Sequence, residues 1–162
     1  MAKTLYLLRH LKSSWDDDTL ADHDRPLAPR GRKAGKRMAR YLKTAGVAPE
    51  LVLCSSAVRT RQTLEAVRAA LGDAQLRFEE ELYAASDEEL LGVLRAVTPD
   101  VDSVLVIAHN PGLEDLAAAL SGVRQEKFPT GAFATLVYEG GWAELGAGSC
   151  ELTGLVVPRE LG

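Results

Sequence analysis

Cysteine is scarce in this chain. Cys54 and Cys150 are the only two, they lie far apart, and no CxxC occurs, so neither a zinc ribbon nor a disulfide framework is indicated. Histidine is nearly as rare: His10, His23 and His109 are the only places for imidazole chemistry. No apolar run approaches the roughly 20 residues that span a bilayer. The first run, Leu5-Tyr6-Leu7-Leu8, is cut off by Arg9 and His10, so neither a signal peptide nor a membrane anchor is expected, and the chain reads as cytoplasmic. There is no excess of positive charge either. Nineteen Lys and Arg face 23 Asp and Glu, a formal net charge of −4, which gives no overall field for gathering nucleic acid. Any anion site must therefore be local. No repeat, low-complexity tract or Ser/Gly linker divides the 162 residues, so a single domain over residues 1–162 is expected. With 46% hydrophobic residues, a chain of this length holds a core without staples.

What is present is an alternation of short apolar runs and helical patterns. Thr4 to Leu8 has no polar alternation and suits a strand buried on both faces. Leu11 to Ala28 is polar, carries Asp16-Asp17-Asp18, Asp22 and Asp24, and reads as a long surface loop. Pro29 then opens a helix with Ala34, Met38, Tyr41, Leu42 and Ala45 on one face, ending at Gly46. Leu51 to Cys54 is a second strand. It is followed by a helix with Ala57, Thr60, Leu64, Val67 and Leu71 on one stripe, closed by Gly72. Leu76 to Glu79 is a third strand. Ser86 and Glu89 form a capping box for a helix that Pro99 stops. Ser103 to Ala108 is the next strand, and Pro111-Gly112 opens an Ala-rich helix to about Leu120. The pattern then predicts a hairpin of Ala132 to Tyr138 and Trp142 to Leu145 around Gly140-Gly141, and a last strand from Gly154 to Val157. The fold class is α/β: three layers, a mostly parallel central sheet with helices on both faces, and a late antiparallel hairpin.

Ligands of open parallel sheets bind beyond the carboxyl ends of the strands. Three of the strands deliver reactive side chains there: Arg9-His10 after the first, Arg59 after the second and His109 after the fourth. Taken singly, each has an ordinary reading, the histidines as hydrogen-bonded turn residues and Arg59, or its neighbour Arg61, as a solvated helix charge. Their joint placement points to a phosphate site, because guanidinium forks match phosphate oxygens and imidazoles can donate, accept or attack. There is no GxxxxGK[ST] and no HExxH, and flanking arginines repel cations, so nucleoside triphosphate and zinc chemistry are both disfavoured. No metal or cofactor is expected. Phosphoryl transfer through a covalent histidine fits the residue set.

These segments resemble the histidine phosphatase (phosphoglycerate mutase-like) superfamily. Leu5 to His10 is similar to its first strand and RHG motif, Ser55-Ser56-Ala57-Val58-Arg59-Thr60-Arg61-Gln62-Thr63 to its second motif, and Val104 to Pro111 to its third. Within the superfamily, Lys12-Ser13-Ser14-Trp15, Asp24-Arg25-Pro26-Leu27 and Arg30-Gly31 resemble the SixA-type phosphohistidine phosphatases. The resemblance implies a phosphoglycerate mutase-like fold, His10 as nucleophile, Arg9 and Arg59 as phosphate ligands in preference to Arg61, and His109 completing the pocket. Two positions depart from the pattern. Leu11 replaces a small residue and is expected to narrow the floor of the site, and Asp16 stands where the mutase branch has Asn.

In that arrangement His10 must present a neutral ring nitrogen, while His109 donates to a phosphate oxygen in its protonated form when the dianion is bound. The rate is then expected to rise and fall across the range where imidazoles titrate. Glu81, after the third strand, is the candidate general acid, and His23 is expected to be an uninvolved loop side chain. Apart from the Leu11 to Ala28 loop, the connections after the strands are short, which leaves an open site. This favours a phosphorylated protein, such as a histidine phosphorelay domain or a phosphocarrier, as substrate. A small-molecule phosphomonoesterase and a non-catalytic phosphoprotein-binding module are the alternatives, and neither nucleic acid nor membrane is an expected partner.

Overall fold

Leu51 to Ser55 is buried at every position and Val104 to Ala108 likewise, the pattern of strands covered on both faces. A computed structural model describes residues 2–162. In chain order its elements are β1 (Ala2–Arg9), α1 (Pro29–Thr44), β2 (Leu51–Ser55), α2 (Val58–Val67), β3 (Gln75–Glu79), α3 (Asp87–Arg95), β4 (Ser103–Ala108), α4 (Gly112–Ser121), β5 (Phe133–Glu139) and β6 (Glu151–Val156). The strands form one sheet in the order β3-β2-β4-β1-β5-β6. The pairs β3-β2, β2-β4 and β4-β1 are parallel, whereas β5 runs antiparallel to both β1 and β6.

Side-chain alternation sends the core to two sides of this sheet. Leu5, Leu7, Leu53, Val104 and Val106 point toward Leu90 and Leu94 of α3 and Leu113, Leu116 and Leu120 of α4. Leu8, Val52, Cys54, Leu105 and Ile107 point the other way, toward Met38 and Leu42 of α1 and Leu64 and Val67 of α2. The result is the expected three-layer α/β architecture. Both cysteines are unbonded and buried, and burial pushes the Cys54 thiol up to about 12. Among the described residues no helix is long and apolar enough to cross a membrane.

Register is what positions the site. Leu8 and Cys54 both pair with Ile107, so β1, β2 and β4 end level with one another and the residues following them emerge at one edge. The Ser86–Glu89 capping box forms as the sequence predicts.

The late hairpin is the exception. β5 pairs with Glu151–Val156 rather than with Trp142 to Leu145, and Trp142–Glu144 is a 3-10 turn. Trp142 and Leu145, three apart, are both buried, as the near-eclipsed i,i+3 side chains of such a turn allow. The indole Nε1 donates to the Val101 carbonyl at 2.6 Å. The apolar pair thus serves the core beneath α3 and α4 instead of a sheet edge. The last strand is also longer than its apolar segment, Gly154 to Val157, indicated.

The polar stretch from Leu11 to Ala28 is closed at its base. Ser13 bridges Leu27, the Ser14 amide donates to Pro26 O at 2.8 Å and the Ala28 amide to Lys12 O at 2.9 Å. Gly31, in the first turn of α1, is required by the same approach: a Cβ there would overlap the Lys12 carbonyl oxygen.

Candidate active site

At the level ends of β1, β2 and β4, a cavity of about 320 Å³ is lined by Arg9, His10, Lys12, Ser13, Trp15, Asp22, Arg25, Arg59, His109, Asn110 and Thr130. The four residues expected to carry chemistry, Arg9, His10, Arg59 and His109, are thus brought together. Glu81 is not with them. It lies on the 3-10 turn after β3 and lines a separate depression with Arg77 and Glu89, because that turn points the side chain away from the cavity wall. Leu11 likewise leaves the floor alone: it is turned into a small apolar cluster with Leu27 and Ala34. Asp16 is exposed and outside the lining.

His10 is buried, and its Nδ1–H donates to the Leu11 carbonyl at 2.7 Å. A carbonyl only accepts, so this contact fixes the proton on Nδ1 and leaves the lone pair on Nε2. Burial is the main reason the His10 pKa falls to about 4, with Arg59, Arg9 and Arg25 adding to it and the Leu11 carbonyl opposing. His109 lies 5.3 Å from His10, ring centre to ring centre. Its Nε2 is 2.8 Å from Ser55 Oγ, and its buried Nδ1 has no partner among the described residues. Burial, then His10 and Arg59, lowers its pKa to about 3. Both rings are therefore neutral in the unliganded protein well below the pH range in which imidazoles ordinarily titrate. The expectation of a charged His109 holds only if a bound dianion brings the proton with it, and the expected rise and fall of rate across that range loses its basis in the free protein.

Three guanidiniums face the imidazoles. Arg9 donates from Nη1 to Phe128 O at 3.0 Å and keeps a buried Nε without a partner among the described residues. Arg59 donates to the Asp22 carbonyl at 2.7 Å and its carboxylate at 3.0 Å. Arg25, which sequence patterning alone did not single out, is 6% exposed. It holds the long loop together by donating to Ser14 O, Asp22 Oδ1 and Ser13 Oγ. Its guanidinium carbon Cζ lies 3.3 Å from the centre of the Trp15 ring, and that indole is 72% exposed at the rim.

Asp22 also accepts from the Tyr83 hydroxyl at 2.6 Å. That hydroxyl first, then Arg25 and Arg59, hold the carboxyl far below the usual carboxylate range despite its partial burial. His23 stays outside the lining, with Nε2 2.9 Å from Ser56 Oγ and its ring edge-on to Tyr83. Arg61 sits over the Phe78 ring, away from the cavity. Among the described residues no group of three or more His, Cys, Asp or Glu could hold a metal ion.

Two neutral imidazoles lie among three guanidiniums, two of them buried, at the carboxyl edge of the parallel strands, an arrangement chemically suited to an oxyanion. Comparison with known proteins agrees with this class. The chain belongs to the histidine phosphatase superfamily, whose branch 1 model matches residues 5–86. It is 38% identical over 163 residues to the uncharacterised protein Rv1276c of Mycobacterium tuberculosis, covering 94% of this chain and 100% of that one. It is 34% identical over 139 residues to the phosphohistidine phosphatase SixA of Escherichia coli, covering 83% and 85%. Among solved structures, the protein histidine phosphatase SixA complexed with tungstate superposes with a TM-score of 0.83 at 29% identity, covering 97% of this chain and 98% of that one.

Proposed function

We propose that the protein is a metal-independent phosphatase that works through a phosphohistidine on His10 and removes phosphate from phosphohistidine on a protein. The observation that carries the reading is the Nδ1 contact of His10 with Leu11 O at 2.7 Å, which leaves a neutral Nε2 as nucleophile.

In the first half-reaction, Nε2 of His10 attacks phosphorus and the P–N bond of the substrate breaks. The leaving imidazole departs carrying its own proton. In the second, water attacks the phosphoryl group on His10, the new P–N bond breaks and inorganic phosphate leaves. Arg9 and Arg59 neutralise the equatorial oxygens in both steps, the positioning and electrostatic work on which phosphoryl transfer depends. His109 donates to one of those oxygens. The guanidiniums that line the cavity repel a divalent cation while meeting this need for positive charge themselves. Among the described residues Asp22 is the only carboxyl in the lining, and its partners hold it ionised, so it cannot protonate a leaving group. A phosphoramidate needs no such acid, whereas an alkoxide does.

A protein substrate fits the walls. Two residues separate β2 from α2 and three separate β4 from α4, too few to build a cap over the cavity. SixA of Escherichia coli, a relative, is a phosphohistidine phosphatase, and a SixA structure at 29% identity contains tungstate, a tetrahedral oxyanion like phosphate. The test compares kcat/KM for a phosphohistidine protein, free phosphohistidine and a sugar phosphate, before and after exhaustive chelation, with rapid-quench labelling of the intermediate. Expected are preference for the phosphohistidine protein, indifference to chelation, and an acid-labile, base-stable label that His10→Ala abolishes. A best rate on the sugar phosphate, recovery of a chelated enzyme by added zinc or magnesium, or label persisting in His10→Ala would each overturn the corresponding part of the reading.

A further inference from the structure

Beside the catalytic cavity lies a second depression, of about 240 Å³, whose rim carries Lys12, Arg30, Arg37 and Arg159 and whose floor is formed largely by Ala34, Pro129, Val157 and Pro158. Lys12 and Thr130 line both hollows, so the two share a wall. Among the described residues no acidic one lines the second hollow. None of its four cations makes an ion pair among the described residues. The nearest carboxylate in sequence, Glu160, is turned back onto the Val157 amide. Arg37 carries a buried Nε–H with no hydrogen-bond partner among the described residues, a donor removed from water without compensation.

The helix behind the depression is charged in the same sense. Seven of the sixteen residues of α1 are Lys or Arg and none is acidic. In a chain of net charge −4, the remainder therefore carries −11. Such segregation of charge steers and orients an approaching anion. Arginine forks match carboxylates in pairs of parallel hydrogen bonds.

We infer that this depression is a docking site for acidic side chains of the phosphoprotein substrate, seating Asp or Glu residues next to the phosphohistidine that enters the catalytic cavity. The inference rests on the phosphohistidine-protein reading above. The occupant follows from the size and charge of the hollow. It has room for one or two carboxylates, and the strongly negative remainder of the chain disfavours an extended polyanion that would run past it.

Two phosphohistidine peptides, identical except for Asp/Glu or Asn/Gln flanks, provide the test, with an aryl phosphate as the small-substrate control. Wild type should turn over the acidic peptide at least about 10-fold better in kcat/KM at low salt, through KM. The advantage should shrink in about 0.3 M salt, where exposed charges are screened. Arg37→Gln with Arg159→Gln should remove the preference while leaving the aryl phosphate within about twofold and the unfolding temperature unchanged. Arg159→Gln alone, a change at an exposed side chain, should give part of the effect without risk to folding. Equal turnover of the two peptides by wild type would overturn the docking site and leave the phosphohistidine reading standing. Turnover of neither peptide, with a sugar phosphate hydrolysed, would overturn that reading and the docking site with it. Inhibition by duplex DNA that disappears in the double variant would assign the face to nucleic acid instead.

Discussion

Arg59 and Arg61 are alike in sequence and two residues apart, yet the fold gives them different surroundings. Arg59 is 7% exposed, beside His10 and His109, while Arg61 lies over Phe78. Arg59→Lys loses the planar fork and should lower kcat/KM about 100-fold, the cost typical of removing one donor aimed at a developing charge; Arg61→Lys should leave it unchanged, and steady-state kinetics on an aryl phosphate reads both. The two buried imidazoles give the fold an acid sensitivity of definite sign. His10 and His109 titrate at about 4 and about 3 when folded, against about 6.5 when exposed. Below about pH 6.5 the unfolded chain therefore binds more protons than the folded one, so stability is full above that pH and falls as pH drops toward 4. Asp22, whose pKa is depressed, adds its loss only below the ordinary carboxylate value near 3.9. Urea unfolding at pH 7, 5.5 and 4.5 should show the decline, and His109→Asn should make it shallower. Of the site residues, Arg9, His10, Arg59 and His109 were legible in the sequence, because each lies at or within a few residues of the end of an apolar strand run. Ser55, Asp22 and Tyr83 were not, since their parts depend on contacts across 54, 37 and 61 residues of chain.

Among the elements, the loop from Leu11 to Ala28 departs furthest from what its sequence suggests. Its acidic tract reads as a solvated surface, and Asp16, Asp17 and Asp18 are indeed exposed. Its interior is nevertheless organised by Arg25 and clamped to α1 where Lys12 O meets Gly31. Gly31→Ala should cost about 1–3 kcal/mol, the range for a methyl forced into a filled space, with a fall in kcat/KM as the loop shifts; thermal unfolding and kinetics check the two parts. Unbroken apolar runs marked the central parallel strands, which are covered on both faces, and periodicity marked the four helices among the described residues, because each has one repeating apolar face. It misread Trp142 to Leu145, because two apolar residues three apart satisfy a single 3-10 turn as readily as a short strand, and only burial beneath α3 and α4 decides between them.

At the scale of the molecule, the cavity lies where the three level strands meet the loop, so an anion bound there ties both core layers to the same point. Tungstate or phosphate at about 100 times its dissociation constant should stabilise the fold by about 2.7 kcal/mol, or roughly 5 to 10 °C in unfolding temperature for a chain of this size. The shift should vanish in Arg59→Lys, and calorimetry at several anion concentrations would check it. The placement of the two tryptophans bears on how such binding is followed. Trp142 is sealed in the core at 1% exposure, while Trp15 stands 72% exposed at the cavity rim. The molecule therefore carries its own optical reporter: one indole whose emission colour and accessibility to iodide follow the occupancy of the entrance, against a second that is dark to the quencher until the chain unfolds.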